Sequence, residues 1–223
     1  MIVEMKNLNF GYNKENYVLK NIQLSIQPKD RLIIVGDPAA GKTSLLNLIR
    51  LKNFYEKKYY ISGSLEIDPK KRIVQIFEEL HLLQDWNVMD YLSMSIDQAF
   101  YSNEKVFYSN MNDLIKFFQL KNIQDKKISE LNLGSKQLVS VIMSVLSRPD
   151  LLLADAPFSN LDIKLAQKVI ECFEYYQKLF NMSWIITTPY IDSSIKIKAN
   201  RMQLTKGTLI CQNLYSTQEN YYF

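Results

Sequence analysis

The stretch Gly36-Asp37-Pro38-Ala39-Ala40-Gly41-Lys42-Thr43 decides how this chain is read. It fits G-x-x-x-x-G-K-[ST], a loop whose backbone N–H groups gather on phosphate oxygens. The apolar run Leu32-Ile33-Ile34-Val35 enters it as a strand, and Leu45, Leu46, Leu48 and Ile49 leave it at helical spacing. At such a junction the dipole of the new helix adds to the unpaired N–H donors, so negative charge is favoured there. Gly36, Asp37, Pro38, Ala39, Ala40, Gly41, Lys42, Thr43 and Ser44 are therefore the candidate nucleotide-binding residues. Lys42 is expected to reach the outer phosphates, and the Thr43 hydroxyl to take a position on Mg²⁺. Pro38 and Ala39 stand where many such loops carry smaller or more flexible residues, which predicts an altered loop geometry.

Ahead of the loop, Ile2, Met5, Leu8 and Phe10 alternate with polar residues and read as a strand ending at Gly11. A second alternating run, Val18–Ile26, returns to Pro28-Lys29-Asp30, so an antiparallel layer precedes the loop strand. Tyr12 lies just past the first strand. It is either a stacking surface for an adenine or a half-buried turn tyrosine.

Behind the loop, Ile61–Glu66 alternates as a further strand, and Arg72–Phe77 reads as a buried one leading into Glu78–Leu83. From about Val88 to Arg148 the periodicity is helical, with polar breaks near Ser102–Asn103 and Asn122–Lys127. This predicts a helical insertion over 88–148, its last helix starting near Ser135 and stopping at Arg148-Pro149. Leu151-Leu152-Leu153-Ala154-Asp155 then delivers an acid at the end of an apolar strand, the place of a magnesium carboxylate in folds with a phosphate loop. A helix over about Leu165–Phe180, a strand Trp184–Thr187 and a hairpin Met202–Ile210 follow. Alternating strands and helices predict an α/β fold with a mostly parallel sheet. The tyrosine-rich tail from Asn213 is expected to be mobile or a docking strip.

Composition bounds the function. The 223 residues are 47% hydrophobic and carry a net charge of +4, too mild and too scattered to argue for nucleic acid. No apolar run approaches the roughly 18 residues of a membrane helix, and the first residues lack the shape of a signal peptide. Cys172 and Cys211 form neither a disulfide framework nor a metal set. The expectation is one soluble, cytoplasmic domain spanning 1–223.

With these pieces placed, the chain resembles the nucleotide-binding subunits of ATP-binding cassette (ABC) systems over nearly its full length. It is most similar to the branch that includes the cell-division subunit FtsE, the lipoprotein-release subunit LolD and the efflux pump MacB. Ile76-Phe77-Glu78-Glu79-Leu80-His81-Leu82-Leu83 and Leu151–Asp162 carry that likeness. The resemblance implies a P-loop NTPase fold, ATP and Mg²⁺ as cofactors, and a second ABC subunit across the nucleotide face. It also implies a permease-like (FtsX-like) membrane partner docking near Glu78–Asp97, so that the chain lies peripherally on the inner face of the plasma membrane. It places Tyr12 at the adenine-stacking aromatic, Asp155 and Glu78 beside the metal with Thr43, and Ser159-Asn160-Leu161-Asp162 at the inter-subunit loop. Asn132 and Gly134 fall in the signature segment that reaches the partner's nucleotide.

Departures from that pattern bear on catalysis. The family's glutamate after the magnesium aspartate is Ala156 here, and its γ-phosphate histidine is Pro189. The signature segment reads Leu131-Asn132-Leu133-Gly134-Ser135, with a bulky Leu133 where backbone must approach phosphate. Phosphoryl transfer depends on positioning and electrostatics, so the expectation is nucleotide binding with impaired or absent hydrolysis and no catalytic residue. The alternatives are an active ATPase with Asp162 or Glu78 as substitute base, and a soluble interaction module.

Overall fold

The computed structural model describes residues 1–52, 55, 58–96 and 104–211, and every structural statement below concerns these. The tail from Asn213, the break at Ser102–Asn103 and the last residue of the Glu78–Asp97 stretch lie outside the described residues.

Two sheets form. β1 (Val3–Gly11), β2 (Leu19–Ile26) and β4 (Tyr60–Ile67) make a small antiparallel sheet in the order β2-β1-β4. The larger sheet has the order β5-β6-β7-β3-β8-β9, built from β3 (Arg31–Val35), β5 (Ile73–Ile76), β6 (Leu151–Asp155), β7 (Ser183–Thr188), β8 (Asn200–Thr205) and β9 (Thr208–Cys211). The strands from β5 to β8 are mutually parallel, and β9 returns antiparallel through the Lys206-Gly207 turn. The predicted closing hairpin thus extends the main sheet.

The central strands read as unbroken apolar runs because both of their faces are covered. Alternate residues serve opposite layers. Ile33, Leu152, Ala154, Trp184 and Ile186 face a core shared with the helices, whereas Leu32, Ile34, Leu151, Leu153 and Ile185 face the helix after the loop and the antiparallel layer. That helix, α1 (Lys42–Arg50), buries Leu45, Leu46, Leu48 and Ile49. Full burial of one such side chain contributes about 1.5–3 kcal/mol.

Between β5 and β6 the chain forms α2 (Val88–Ser93), α3 (Glu104–Phe117) and α4 (Leu133–Leu146). Short tight turns at Lys121–Ile123 and Ile128–Glu130 fall at and just after the polar break expected near Asn122–Lys127. α4 begins two residues earlier than its apolar stripe implies. Asn132 adopts an extended backbone and accepts the Ser135 N–H at 2.8 Å, which caps the helix ahead of Leu133-Gly134. After β6, α5 (Ile163–Phe180) is capped in the same way by Asp162, which accepts the Leu165 N–H at 2.8 Å.

Candidate functional site

Parallel strands that run side by side deliver their C-terminal ends to one edge of the sheet, where ligands of such folds bind. Here that edge collects the loop after β3, Glu78 beyond β5, Asp155 and Ala156 at the end of β6, and Pro189 at the end of β7. A pocket of about 260 Å³ is lined by these together with Val18, Pro38, Ala39, Gly41, Lys42, Thr43 and Ser44.

The loop is shaped by two glycines. Gly41 has φ 103°, a left-handed conformation that glycine adopts without cost, and it opens α1. A Cβ on Gly36 would lie 2.3 Å from the Leu204 carbonyl oxygen, so the loop can press against β8 only without a side chain. Ala39 is also left-handed, at φ 63°, a backbone conformation uncommon for a residue that carries a side chain. Lys42 folds back and donates to the carbonyls of Gly36 at 2.7 Å and Asp37 at 2.8 Å.

The residues fit an anionic ligand. No side chain caps the N-terminus of α1, and no acidic residue stands in its first turn. The first N–H groups of that helix, which have no partner within the helix, therefore face the pocket beside the Lys42 ammonium. They also fit a magnesium ion brought in with phosphates. Asp155 is 2% exposed and accepts a hydrogen bond from the Thr187 hydroxyl, its register partner on β7. One or two protein oxygens plus phosphate oxygens and water are what Mg²⁺ usually takes. Asp155, Thr43 and Glu78 line the pocket, and no cluster of three or more metal-binding side chains exists among the described residues.

Ala156 and Pro189 also line the pocket. Ala156 is buried at φ 45°, its N–H bonded to the Thr187 carbonyl at 2.9 Å. Its carbonyl accepts both the Ser159 N–H and the Ser159 hydroxyl. A methyl group and a pyrrolidine ring thus form two walls of the pocket. Neither can take or donate a proton.

Six of the expected residues stand outside this lining: Gly36, Asp37 and Ala40 within the loop itself, and Tyr12, Asn132 and Gly134 beyond it. Tyr12 is 45% exposed; its ring meets Phe10 and Tyr59 edge-on at 4.9 and 5.0 Å, and its hydroxyl lies 3.0 Å from that of Ser44. Asn132 and Gly134 sit at the start of α4. The Asn132 oxygen is engaged in capping, which leaves its NH₂ as the donor. A Cβ on Gly134 would come within 2.9 Å of the Asn160 carbonyl, so this glycine has a packing reason within the chain itself. Leu133 beside it is 62% exposed. Val18 and Thr187 carried no sequence signal; Val18 lines the pocket just ahead of β2, and Thr187 is tied to it through Asp155.

A phosphate loop at the C-terminal edge of a parallel sheet, with a buried aspartate one strand away, defines a P-loop nucleotide-binding protein of the α/β class. The chain belongs to the ABC transporter family, whose description matches residues 19–159. It is 25% identical to a spermidine/putrescine import ATP-binding protein of Clostridium acetobutylicum, over 94% of this chain and 60% of the relative. It is 28% identical to a methionine import ATP-binding protein of Helicobacter pylori, over 91% of this chain and 64% of the relative. The chain therefore spans under two thirds of the length of these curated relatives. Among solved structures, an ATP-binding subunit of an ABC transporter superposes with a TM-score of 0.79 at 17% identity, covering 94% of this chain and 88% of the other. An ATP-binding cassette solved as a dimer with ADP and Pi gives 0.76 at 20% identity, covering 93% and 96%. No helix among the described residues is long and apolar enough to cross a membrane.

Proposed function

We propose that this chain binds Mg-ATP, pairs with a second ABC subunit across its nucleotide face and serves an integral membrane permease, while hydrolysing ATP slowly or not at all. One observation carries the reading: the pocket that gathers Lys42, Thr43, Ser44 and Asp155 presents Ala156 and Pro189 on the walls where a base and a γ-phosphate donor would act. Binding groups are in place and proton-handling groups are not. In this reading Lys42 and the α1 N-terminus hold the phosphates, Thr43, Asp155 and Glu78 hold the metal, and Tyr12 stacks on the base. Asn132 and Gly134 belong to the partner's site. The chain works from the cytoplasmic face, with residues 88–148 as the helical arm of a single domain. Kinship with the FtsE branch, and hence an FtsX-like partner, is supported by the segments Ile76–Leu83 and Leu151–Asp162.

A second reading, an active ATPase that energises an importer, is favoured by two observations. The relatives named above are import subunits, and the Glu78 carboxylate reaches the same pocket.

The test of the first claim is ligand-dependent stability. A ligand selective for the folded chain at about 100 times its Kd adds about 2.7 kcal/mol of stability. Mg-ATP should raise the melting temperature of the wild type and leave Lys42→Ala unmoved. Melting that ignores both ATP and ADP would overturn nucleotide binding.

A further inference from the structure

A second cavity, of about 410 Å³, lies between α3 and α5 and shares no residue with the phosphate pocket. Each helix contributes an acid and, four residues on, an aromatic ring: Asp113 and Phe117 from α3, Glu171 and Tyr175 from α5. That spacing sets acid and ring side by side on one helix face. The buried Leu114, Cys172 and Tyr176 make a floor that belongs to the main apolar core. Burial pushes the Cys172 thiol up to about 12, so the floor adds no charge at neutral pH. Tyr175 and Tyr176 stand edge to face, with ring centres 5.7 Å apart and planes at 73°, and Phe117 comes from the opposite helix. Among the described residues no Lys or Arg lines this cavity, and neither Asp113 nor Glu171 has an ion-pair partner. Two negative charges thus meet in one cavity of a chain whose net charge is +4. Lys168 stands outside the lining. Its ammonium donates to the Phe117 carbonyl at 2.9 Å and lies 5.5 Å from the centre of the Phe117 ring, which ties the end of α3 to α5.

We propose that this cavity binds a small organic ammonium ion, its charge taken up by Asp113 and Glu171 and its carbon skeleton seated among Phe117, Tyr175 and Tyr176. The lining selects this class. An anion would meet two carboxylates and no cationic side chain. A neutral apolar ligand would cover the floor but strip water from the carboxylates with nothing in return. A bare metal ion would leave the rings unused, and the described residues hold no cluster of three or more metal-binding side chains. An ammonium ion gains from both kinds of wall. Ring faces attract it through their quadrupole, and carboxylates accept charge-assisted hydrogen bonds or face it as counter-ions. The volume lies in the range of small-molecule sites, which a single lysine side chain from a protein partner would fill only in part. α3 comes from the segment between β5 and β6, whereas α5 follows β6, so a ligand held by both braces two separate parts of the chain.

The test separates charge from shape. Calorimetry on the full chain, without nucleotide, compares choline and n-butylammonium with their neutral counterparts dimethylbutanol and n-pentanol. The ammonium ions should bind, and the alcohols at least about 10-fold more weakly, the ordinary worth of hydrogen bonds to charged groups. Asp113→Asn combined with Glu171→Gln should erase the preference for charge. Tyr175→Ala should weaken the ammonium ions about 2- to 30-fold, and Tyr175→Phe should hold wild-type affinity because the ring face is what attracts them. Asp113, Glu171 and Tyr175 are exposed, so all these variants should melt as the wild type does. No binding of either ammonium ion at about 10 mM, equal binding of the alcohols, or a preference for charge that survives loss of both carboxylates overturns the proposal. A lysine- or arginine-bearing peptide that binds through Tyr175 where the free ammonium ions do not also overturns it, and gives the cleft to a protein partner. Because nucleotide is absent throughout, none of these outcomes bears on the Mg-ATP reading.

Discussion

Wild-type turnover is expected to be no faster than that of Lys42→Ala. Two walls of the pocket set this limit. Ala156 follows the buried Asp155 with its backbone at φ 45°, and Pro189 closes the end of β7. A typical enzyme works at about 10 per second. Lack of a general base costs about 10²- to 10⁴-fold, and lack of a donor to developing charge about 10²- to 10³-fold. Either defect alone leaves at most about 0.1 per second, and the two together less. The assay is continuous phosphate release at saturating Mg-ATP.

Ala156→Glu sharpens this expectation. Ala156 lines the pocket, so a carboxylate built from it is placed at the candidate site. Pro189 would still leave the γ-phosphate without its donor, so the single substitution should gain less than about 10²-fold. Ala156→Glu combined with Pro189→His should exceed it. A wild-type rate of a few per second, lost in Lys42→Ala, would refute the argument and require a substitute base. Asp162 is then the weaker suspect because its carboxylate caps α5. Glu78, in the pocket lining, would be the first variant to measure, as Glu78→Gln.

Other consequences can be measured independently. Gly36→Ala places a Cβ 2.3 Å from the Leu204 carbonyl oxygen. It should cost about 1–3 kcal/mol in denaturant unfolding, as overpacking does; an unchanged midpoint would show that β8 yields freely. Asp155→Asn keeps the shape and the Thr187 partner but removes the carboxylate charge. ATP affinity should then respond much less to Mg²⁺ in calorimetry, and an undiminished magnesium dependence would place the ion elsewhere. Tyr55, raised to about 12 from an ordinary 10.0, holds its proton more tightly in the folded chain. Its contribution is fully present below about pH 10 and is lost as pH rises through 12. Tyr55→Phe should therefore flatten the fall in stability between pH 10 and 12, and an unchanged slope would assign that limb to other groups.

Much of this was legible in the sequence because the signals are local. The phosphate loop, its entering strand and the helix after it are contiguous, so motif and periodicity report the same thing at Gly36–Ile49. The buried strands β6 and β7 stand out because covering both faces demands apolar residues throughout. Long-range register left no such trace. Thr187 reaches Asp155 only because β7 lies beside β6 in a particular alignment, and nothing in Trp184–Thr187 announces it. The start of α4 lies ahead of its apolar stripe for a related reason: Leu133-Gly134 does not look helical, and a capping Asn132 overrides propensity. Gly134 shows how one residue can satisfy two demands. Motif likeness assigns it to a partner's phosphate, yet the Asn160 carbonyl already forbids a side chain there. Glycine at this place is thus required by packing whether or not the signature segment still functions. Ala156 and Pro189 escape that ambiguity. Both line the pocket, and what they subtract from it is chemistry, which is why turnover bears on them most directly.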